Sequence, residues 1–390
     1  MRGLTKAAFS HGDVFASLFA NYLCGGECIE DVMDIKPFWD GREDIRVCSS
    51  DVMLRALRRL TEDNLTYTSD MGKSYDFNAN EKMNRLLLKC LSVTGQLCAG
   101  DCVDLDFDHQ FIAADKKDAK YSCKKADGYF PGVATVGGMI VGVEKRDGNA
   151  NVRFHQADTL ERIFERLEKQ SRVIVRNFRA DCGSYSENII RVVAAHCERF
   201  YIRAGNCQSR YTEFMEHGHW QDVAIGALPC GVASFKFDSF LPELGLRLVV
   251  QRTLAEADGA EDLFGKRYVY RCIVTDDWEN TERDIIIYYN KRDASERNFD
   301  CQNNEFGWAH MPFSFLNENT VFLVATAMLK NFYLYLLDIL SGKVKGLDRK
   351  ARLKRFIRKF VAVAAKWTKS GRQNVITLYT KRRCHLELAG

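Results

Sequence analysis

The sequence predicts an α/β protein in which helices flank a mixed β-sheet. Between residues 100 and 204, stretches that alternate apolar and polar residues give way to stretches with apolar residues at helical spacing. The chain holds 46% hydrophobic and 28% charged residues and only 5 prolines, which is typical of a folded globular protein. Its 390 residues suffice for one large domain with additions, or for two or three smaller domains.

Residues 1–99 are predicted to be a helical region. Apolar residues recur at helical spacing in two places: Val14, Leu18, Tyr22 and Leu23, then Met53, Leu54, Leu57 and Leu60. Ser49 to Asp51 would cap the second of these helices, and a further helix is expected near residues 80–97. A helix-turn-helix-like unit would turn Arg55, Arg58 and Arg59 toward DNA phosphates, but a solvated helix face explains these arginines equally well.

Residues 100–204 are predicted to build the first part of the sheet. Asp104, Asp106 and Asp108 alternate with apolar residues, so the three aspartates share one face of a strand. Further strands are expected at residues 132–143 and 151–155, with a hairpin turn at Asp147 and Gly148. A helix at 159–169, a strand at 173–178, a helix at 186–197 and a strand at 200–202 follow. This order of three meandering strands, helix, strand, helix and strand is the succession of an RNase H-like sheet.

Residues 205–283 are predicted to be a β-rich insertion, with strands at 247–253 and 267–275 on either side of an acidic loop at 256–262. The core then resumes over residues 284–345. Its last strand is expected at residues 285–289, and a helix from about Asp293 carries Glu296. The apolar segment 321–340 has nearly the length of a membrane span, but Lys330, Asn331 and Asp338 interrupt it, which favours a core helix.

Residues 346–390 are predicted to be a basic helical tail. From residue 343 to the end there are fifteen Lys or Arg residues against two acids, so the preceding 342 residues carry a net charge of −9. A helix with an apolar stripe and a cationic remainder can bind DNA phosphates or an anionic membrane, and Gly371 would separate two helices. The residues expected to contact DNA are Arg352, Lys354, Arg355, Arg358, Lys359 and Lys366.

The 14 cysteines are scattered and follow no apolar signal peptide, which favours reduced thiols in a cytosol. Cys24 with Cys28, and Cys98 with Cys102, have a spacing that zinc sites also use, but no second pair of ligands stands nearby. Buried free cysteine is the better interpretation.

Three acidic residues are candidate metal ligands. Asp106 lies in the middle of a row of like charges, which a cation would relieve, whereas Asp104 and Asp108 fit an exposed strand better. Asp181 ends an apolar strand, at the edge where open α/β sheets bind ligands, but a helix cap is an equally good interpretation. Glu296 follows Arg292 by one helical turn, a spacing more typical of a surface ion pair.

Taken together, residues 103–108, 179–183 and 289–296 resemble the three active-site segments of bacterial insertion-sequence DDE transposases. The resemblance is to the branch with a tyrosine, arginine and glutamate signature around the third acid, here Tyr289, Arg292 and Glu296. It continues through residues 304–307 and into the tail at 365–367, and so covers nearly the whole chain. The ordered set of segments is far more specific than any one of them.

The resemblance implies an RNase H-like core with a β-strand insertion before the third acid. It assigns Asp106, Asp181 and Glu296 as the catalytic, metal-binding triad of a cut-and-paste transposase. Two Mg²⁺ ions, or Mn²⁺ in their place, would serve phosphodiester cleavage and strand transfer. Tyr289 and Arg292 would contact phosphates near the cut.

The implied partners are the terminal inverted repeats of the element and the target DNA, bound in the bacterial cytoplasm at the nucleoid. Residues 1–99 and 346–390 would be the DNA-binding regions. Synapsis of two ends makes a homodimer plausible by analogy, and no membrane is involved.

Two positions depart from the family pattern: a lysine common seven residues after the glutamate is Asn303 here, and a serine or threonine common two residues after the first aspartate is Asp108. The group generally carries more sequence before the segment resembling residues 22–31, so a truncated N-terminus is expected. The alternative is therefore a catalytically inactive or truncated transposase-derived protein that only binds DNA. A plain RNase H-like nuclease is a third candidate, against which the insertion and the tail argue.

Overall fold

The computed structural model describes the chain apart from residues 1–8, 40–44, 206, 218, 256–259, 262–266, 372 and 390. The side chains at positions 228, 260–261, 293–296, 370, 374, 386 and 388–389 also lie outside the described part. The architecture is α/β, with a large mixed sheet flanked by helices, and this confirms the predicted class.

The N-terminal part is helical with one hairpin: α1 (His11–Leu23), α2 (Val32–Ile35), α3 (Ser50–Arg58), β1 (Leu65–Thr68), β2 (Ser74–Asn78) and α4 (Glu81–Val93). The predicted apolar face of α1 is buried, and the Ser10 hydroxyl caps this helix by accepting from the Asp13 amide. Ser49 precedes α3 as predicted, although its side chain makes no capping hydrogen bond. The sequence does not predict the hairpin, because β1 is almost wholly exposed and lacks apolar alternation.

The centre of the sheet and a small sheet beside it come next: β3 (Cys102–His109), β4 (Ile112–Ala113), β5 (Lys120–Tyr121), β6 (Asp127–Tyr129), β7 (Gly132–Val136) and β8 (Met139–Arg146). β3, β7 and β8 form the antiparallel meander, whereas β4, β6 and β5 pair separately. The stretch 132–143 therefore contributes two strands, which turn at Gly137 and Gly138, both at positive φ as a tight hairpin turn requires.

The predicted strand at residues 151–155 is wrong. These residues form turns that lead from β8 into the next helix, and His155 adopts a left-handed conformation just before that helix begins. The error followed from placing the hairpin turn at Asp147 rather than at the two glycines ten residues earlier.

Two helices and two parallel strands follow close to the predicted positions: α5 (Gln156–Glu165), β9 (Ile174–Ala180), α6 (Glu187–His196) and β10 (Arg199–Ala204). β9 pairs in parallel with both β3 and β10. Because parallel neighbours need a crossover, the helices pack on the faces of the sheet.

One helix comes next, followed by strands that extend the same sheet: α7 (Tyr211–Glu216), β11 (Gln221–Ile225), β12 (Leu228–Lys236), β13 (Arg247–Leu254), β14 (Ala260–Glu261) and β15 (Arg267–Thr275). The strands predicted at 247–253 and 267–275 are β13 and β15, which pair antiparallel. β15 also pairs with β10, so the strand order is β1-β2-β8-β7-β3-β9-β10-β15-β13-β12-β11. Most of the predicted acidic loop lies outside the described residues.

The chain then becomes helical: α8 (Glu282–Asn290), α9 (Ala294–Glu305) and α10 (Leu316–Ser341). The predicted last strand at 285–289 is wrong, because these residues lie in α8, which the Thr281 hydroxyl caps. A short apolar run is compatible with a strand or with a helix, and in this sequence only the capping threonine indicates the helix. α10 is the predicted core helix. It is the one helix in the described residues that is long and apolar enough to cross a membrane, and 78% of its most apolar window is buried within the protein.

The tail contains α11 (Leu353–Phe356), β16 (Ala365–Ser370), β17 (Gln373–Leu378) and α12 (Arg383–Ala389). A helical start is confirmed, since α11 continues as a π-helical segment to Val361 and buries Leu353, Phe356 and Phe360. The rest of the tail was predicted to be a second helix, but it contains the hairpin β16–β17 before the short helix α12. Gly371 lies in the turn of the hairpin β16–β17, at φ 60°.

Candidate active site

Three segments that are distant in the sequence meet at the carboxyl ends of β3 and β9. In this parallel pair, Asp106 lies opposite Arg179 and Phe107 opposite Ala180. One step further along the two strands stand Asp108 and Asp181. Residues two apart on a strand share a face, so these acids and Arg179 line one face of the sheet, and α8 with the turn after it packs across that face.

Asp106 is bound by Arg179 through both of its carboxylate oxygens. Arg179 donates from Nε to Oδ1 at 2.6 Å and from Nη2 to Oδ2 at 2.9 Å, and both side chains are 9% exposed. Burial raises the pKa of Asp106 above its usual value, although the hydrogen bonds and charge of Arg179 oppose that shift. The guanidinium group of Arg179 thus compensates the charge of Asp106, the predicted first ligand.

Arg179 is itself held by α8. Its Nη1 donates to the Tyr288 carbonyl at 2.8 Å, and its guanidinium carbon lies 4.6 Å from the centre of the Tyr288 ring. Arg179 thus joins β3, β9 and α8. This role was not predicted from its place in the segment 179–183. The signal was present, however, since a charge two residues before Asp181 on an apolar strand must lie on the same face as that acid.

Asp108 is partly buried, with 14% of its side chain exposed, and pairs with Arg292, whose Nη1 donates to Oδ2 at 2.8 Å. Burial and the negative charge of Asp181 raise the pKa of Asp108 to about 6, against the opposing effect of Arg292. The expectation that Asp108 points from an exposed strand into water is therefore wrong. The expected pair of Arg292 with Glu296 lies outside the described side chains. Asp108 is the acid on β3 that interacts electrostatically with Asp181.

Asp181 fills one of the two roles that the sequence left open, that of a cap. Its Oδ1 accepts from the Gly183 amide at 2.9 Å and so caps the short turn Cys182–Ser184. Its other oxygen accepts no hydrogen bond from the described part of the chain. The residue also lines a cavity of about 630 Å³, together with His109, Gln110, Phe111, Lys124, Phe130 and Val152.

His109 adds an unsatisfied group to this cavity. Its Nε2 is buried and finds no hydrogen-bond partner among the described residues. Burial, and secondly the charge of Arg146, hold the pKa of His109 well below its usual value, so the ring is neutral at pH 7. The sequence gives no signal for this residue beyond its position at the end of β3.

Tyr289 is buried against the end of β9. Its hydroxyl donates to the Ala180 carbonyl at 3.1 Å, and burial raises its pKa. The Arg292 guanidinium carbon lies 5.8 Å from the ring centre. Tyr289 thus joins α8 to β9 and lies beside Arg292. Its contact with a phosphate stays a prediction.

Glu296 belongs to α9, but its side chain lies outside the described residues. The helix itself is anchored near the acids, since Asn303 donates to the Gln110 side chain at 3.1 Å and Gln110 follows β3 directly. Positions seven residues apart share a helix face, so position 296 is on the face of α9 that carries Asn303. The residue that replaces the family's lysine therefore orients α9 toward the end of β3.

Several basic residues of the tail are already engaged within the protein. Arg352 donates to Glu305 at 2.8 Å and also binds Asp300, and Lys354 pairs with Glu27 at 2.8 Å. Lys359 donates to the Gly346 carbonyl. Arg355, Arg358 and Lys366 are exposed. Of the arginines on α3, Arg58 pairs with Glu318 at 2.6 Å.

No three His, Cys, Asp or Glu side chains within the described part of the chain are grouped so that they could hold a metal ion. That set omits position 296. The four cysteines with zinc-like spacing are free thiols, and none of them is buried, so their predicted burial is wrong. Among all the cysteines, only Cys48, Cys230 and Cys272 are buried.

Comparison of the chain with protein-family models gives no match. Comparison with curated proteins finds no significant match either. Any functional conclusion therefore depends on the geometry of these residues and on the resemblance of the three segments.

Proposed function

We propose that the chain is a DDE transposase that cleaves and rejoins DNA on an RNase H-like core. The observation that carries this proposal is the convergence of the three resembling segments. Three contacts bring them together, between residues that are separated in the sequence by 73, 109 and 184 positions: Arg179 with Asp106, Tyr289 with Ala180, and Arg292 with Asp108. A chance likeness of three short segments gives no reason for all three to be neighbours in space.

The sheet order supports the same proposal. In β8-β7-β3-β9-β10, three antiparallel strands are followed by two parallel ones, and helices connect the parallel strands. An RNase H-like core has this order. The added strands β11 to β15 stand before α9, where the resemblance expects an insertion ahead of the third acid.

The donor set suits divalent cations by its chemistry. Asp106, Asp108 and Asp181 offer the hard carboxylate oxygens that Mg²⁺ and Mn²⁺ prefer, and one oxygen of Asp181 is free of hydrogen bonds from the described residues. Asp106, Asp181 and Glu296 would hold the two ions. When bound, these ions would supply the charge that activates a water or 3′ hydroxyl and stabilises the leaving oxygen.

The arginines would link substrate binding to the exposure of the acids. Arg179 binds Asp106 through two hydrogen bonds and Arg292 binds Asp108 through one, and a guanidinium group can also bind phosphate through two parallel hydrogen bonds. A phosphodiester brought to this edge would compete for both arginines. Drawing them away would free the oxygens of Asp106 and Asp108 at the moment when DNA is present.

The same arginines favour a second candidate, a transposase-derived protein that binds DNA without cutting it. A carboxylate permanently paired with arginine holds no metal ion, and both Asp106 and Asp108 are paired. The two functions differ in whether these pairs open. The proposed partners in either case are duplex DNA at the element ends and, for synapsis, a second copy of the chain, in the bacterial cytoplasm.

The test is cleavage of a labelled duplex that carries the DNA flanking the gene, with Mg²⁺ or with chelator. We expect cleavage that requires the metal and falls by at least about 100-fold in Asp181→Asn. Asp104→Asn is the matched control, because Asp104 lies on the same face of β3 but is held by the Asn177 amide at 2.7 Å. It should cleave like the native chain.

Asp106→Asn and Asp108→Asn distinguish the two acids of β3. The resemblance predicts that the Asp106 variant loses cleavage, whereas the coupling of Asp108 to Asp181 would make Asp108 the essential acid. Binding of the duplex without cleavage by the native chain would rule out the catalytic proposal and support the second candidate.

A further inference from the structure

A basic three-stranded ribbon projects beside the candidate active site. We call residues 112–129, which contain β4, β5 and β6, the lysine ribbon. It leaves the sheet directly after β3 and returns at β7, where His109 pairs with Gly132. The ribbon therefore rises from the same edge of the sheet at which Asp108 and Asp181 stand.

The ribbon shares a cavity with Asp181. Lys124, on the turn between β5 and β6, lines the cavity of about 630 Å³ that Asp181 also lines. His109, whose buried Nε2 has no partner among the described residues, lines the same cavity. Lys124, His109 and Asp181 thus border one space.

Lys124 and Lys125, on the turn between β5 and β6, are exposed. No ion pair in the described residues involves Lys124 or Lys125, although many other basic side chains of this chain are paired. Adjacent like charges in water are ordinary on a turn, but here they stand beside a carboxylate cluster that any polyanionic substrate must approach.

The ribbon is held rigidly. The Asp118 carboxylate accepts from the Tyr129 hydroxyl and, at 2.7 Å, from the Leu316 amide at the start of α10. At its base Gly148 packs so closely that a Cβ there would lie 2.2 Å from the Gly128 carbonyl oxygen. These contacts anchor the ribbon to the start of α10 and to the turn after β8, on the side of the sheet edge where Lys124 and Asp181 line the cavity.

We propose that the lysine ribbon binds the phosphate backbone of duplex DNA and holds it beside Asp108 and Asp181. Lys124 and Lys125 neutralise two phosphates next to the phosphodiester bond that is cleaved at the acids. The inference rests on the proposed function for the choice of DNA as the polyanion. It assigns the positioning of the substrate near the cut to this ribbon as well as to the basic tail.

The first test is binding of a fluorescein-labelled duplex of arbitrary sequence, measured by anisotropy in chelator so that no cleavage occurs. Lys124→Ala/Lys125→Ala should lower the affinity on the order of tenfold at low salt and reduce the slope of log Kd against log salt by about 2. Lys73→Ala/Lys89→Ala removes the same charge from other exposed positions. This control should leave the slope within experimental error of native.

A second test uses native thiols and needs no substitution. Cys123 lies on the ribbon next to Lys124, whereas Cys102 begins β3, roughly 20 Å from its other end, and both are exposed. Saturating duplex should slow the alkylation of Cys123 by N-ethylmaleimide several-fold, read by mass spectrometry, and leave Cys102 unchanged. Equal protection of the two thiols, or lysine variants that bind like the control, would overturn the proposal.

Failure of this inference can be told apart from failure of the proposed function. If duplex DNA protects Cys123 but the native chain never cleaves DNA, the ribbon proposal stands and the proposed cleavage activity is refuted. A chain that cleaves in Mg²⁺, while both ribbon tests are negative, would do the reverse.

Discussion

At the scale of single residues, the acids of β3 show how buried charges are compensated in this protein. The sequence predicts that a row of three aspartates needs a cation. In the structure Arg179 compensates Asp106, Arg292 compensates Asp108, and the Asn177 amide binds Asp104. Guanidinium groups suit this role because they satisfy both charge and hydrogen bonding, and an unpaired buried charge costs several kcal/mol.

His196 is a second residue whose charge depends on its neighbours. It ends α6, lies 2.8 Å from Glu168 and 3.2 Å from Glu161, and stacks on the Phe164 ring. Burial alone would lower its pKa, but the hydrogen bond and charge of Glu168, followed by those of Glu161, outweigh burial and raise the pKa. When it is protonated, the ring pairs with both carboxylates and holds α6 against the region of α5.

This clamp predicts a pH-dependent stability. Because the folded pKa of His196 is raised, its contribution is fully present below the unfolded value near 6.5 and is lost as the pH rises through the folded pKa. The difference in unfolding free energy between native and His196→Gln should be larger at about pH 6 than at about pH 8.5. We expect a change below about 1 kcal/mol, since both carboxylates are substantially exposed.

Urea denaturation at the two pH values measures this difference. Glu168→Gln serves as the partner variant, and in its background the pH dependence contributed by His196 should largely vanish. A difference between native and His196→Gln that is equal at both pH values would mean that only the stacking on Phe164 matters.

At the scale of elements, two asparagines complete the edge of β8. β2 pairs with β8 only at Lys145 and Arg146, so the outer edge of the strand before them lacks a neighbouring strand. Asn331 of α10 accepts from the Ile140 amide at 2.9 Å and donates to its carbonyl at 2.7 Å. Asn84 of α4 makes the same pair of bonds with Val143, both at 2.9 Å. Two helices thus replace the missing strand.

Replacing either asparagine by leucine should be destabilising. The change keeps the size of the side chain but leaves a buried backbone amide and carbonyl without partners. We expect Asn84→Leu and Asn331→Leu each to lower the free energy of unfolding by about 1 to 3 kcal/mol, measured by chemical denaturation. Asn188→Leu, at an exposed position of α6, is the control and should change stability by less than about 0.5 kcal/mol. A similar small effect at Asn331 would show that water satisfies this edge.

At the scale of the whole molecule, the strands β11 to β15 are continuous with the sheet. β15 pairs with β10 over four residues, from Tyr201 to Ala204. α8, which carries Tyr288 and Tyr289 to the site, is tied to these strands because Glu282 accepts from Ser234 at 2.6 Å and Arg247 binds the Asn280 carbonyl. The position of α8 over the acids therefore depends on the added strands.

Deleting residues 207–271 and joining the ends with a flexible linker should abolish the soluble fold. The deletion leaves residues 272–275 paired with β10 but exposes their other edge, and it removes the β12 and β13 surface on which α8 packs; open apolar edges aggregate. Size-exclusion chromatography and circular dichroism would report the loss. Deletion of residues 365–390 is the comparison, since β16 and β17 pair with each other and not with the large sheet, and it should leave the core folded. A soluble, cooperatively unfolding 207–271 deletion would show that the insertion is an independent module.

The sequence by itself determined the α/β class, the core helix α10, the face of α1, and most strands with clear alternation, such as β3 and β15. These features follow from local periodicity, which a side chain's own neighbours in the chain impose. It also singled out the segments around Asp106, Asp181 and Tyr289 that the fold brings together. It failed where local signals were ambiguous: the apolar run in α8, the hairpin in the tail, and the turn at Gly137 and Gly138.

Only the tertiary structure decided how the charges are shared. Which arginine meets which aspartate depends on the register between β3 and β9 and on the packing of α8, contacts between residues 73 and 184 positions apart. The addition of β11 to β15 to the central sheet, and the lysine ribbon beside Asp181, depend equally on long-range pairing. No local pattern encodes such contacts, because their energies arise only when distant segments exclude water from the same space.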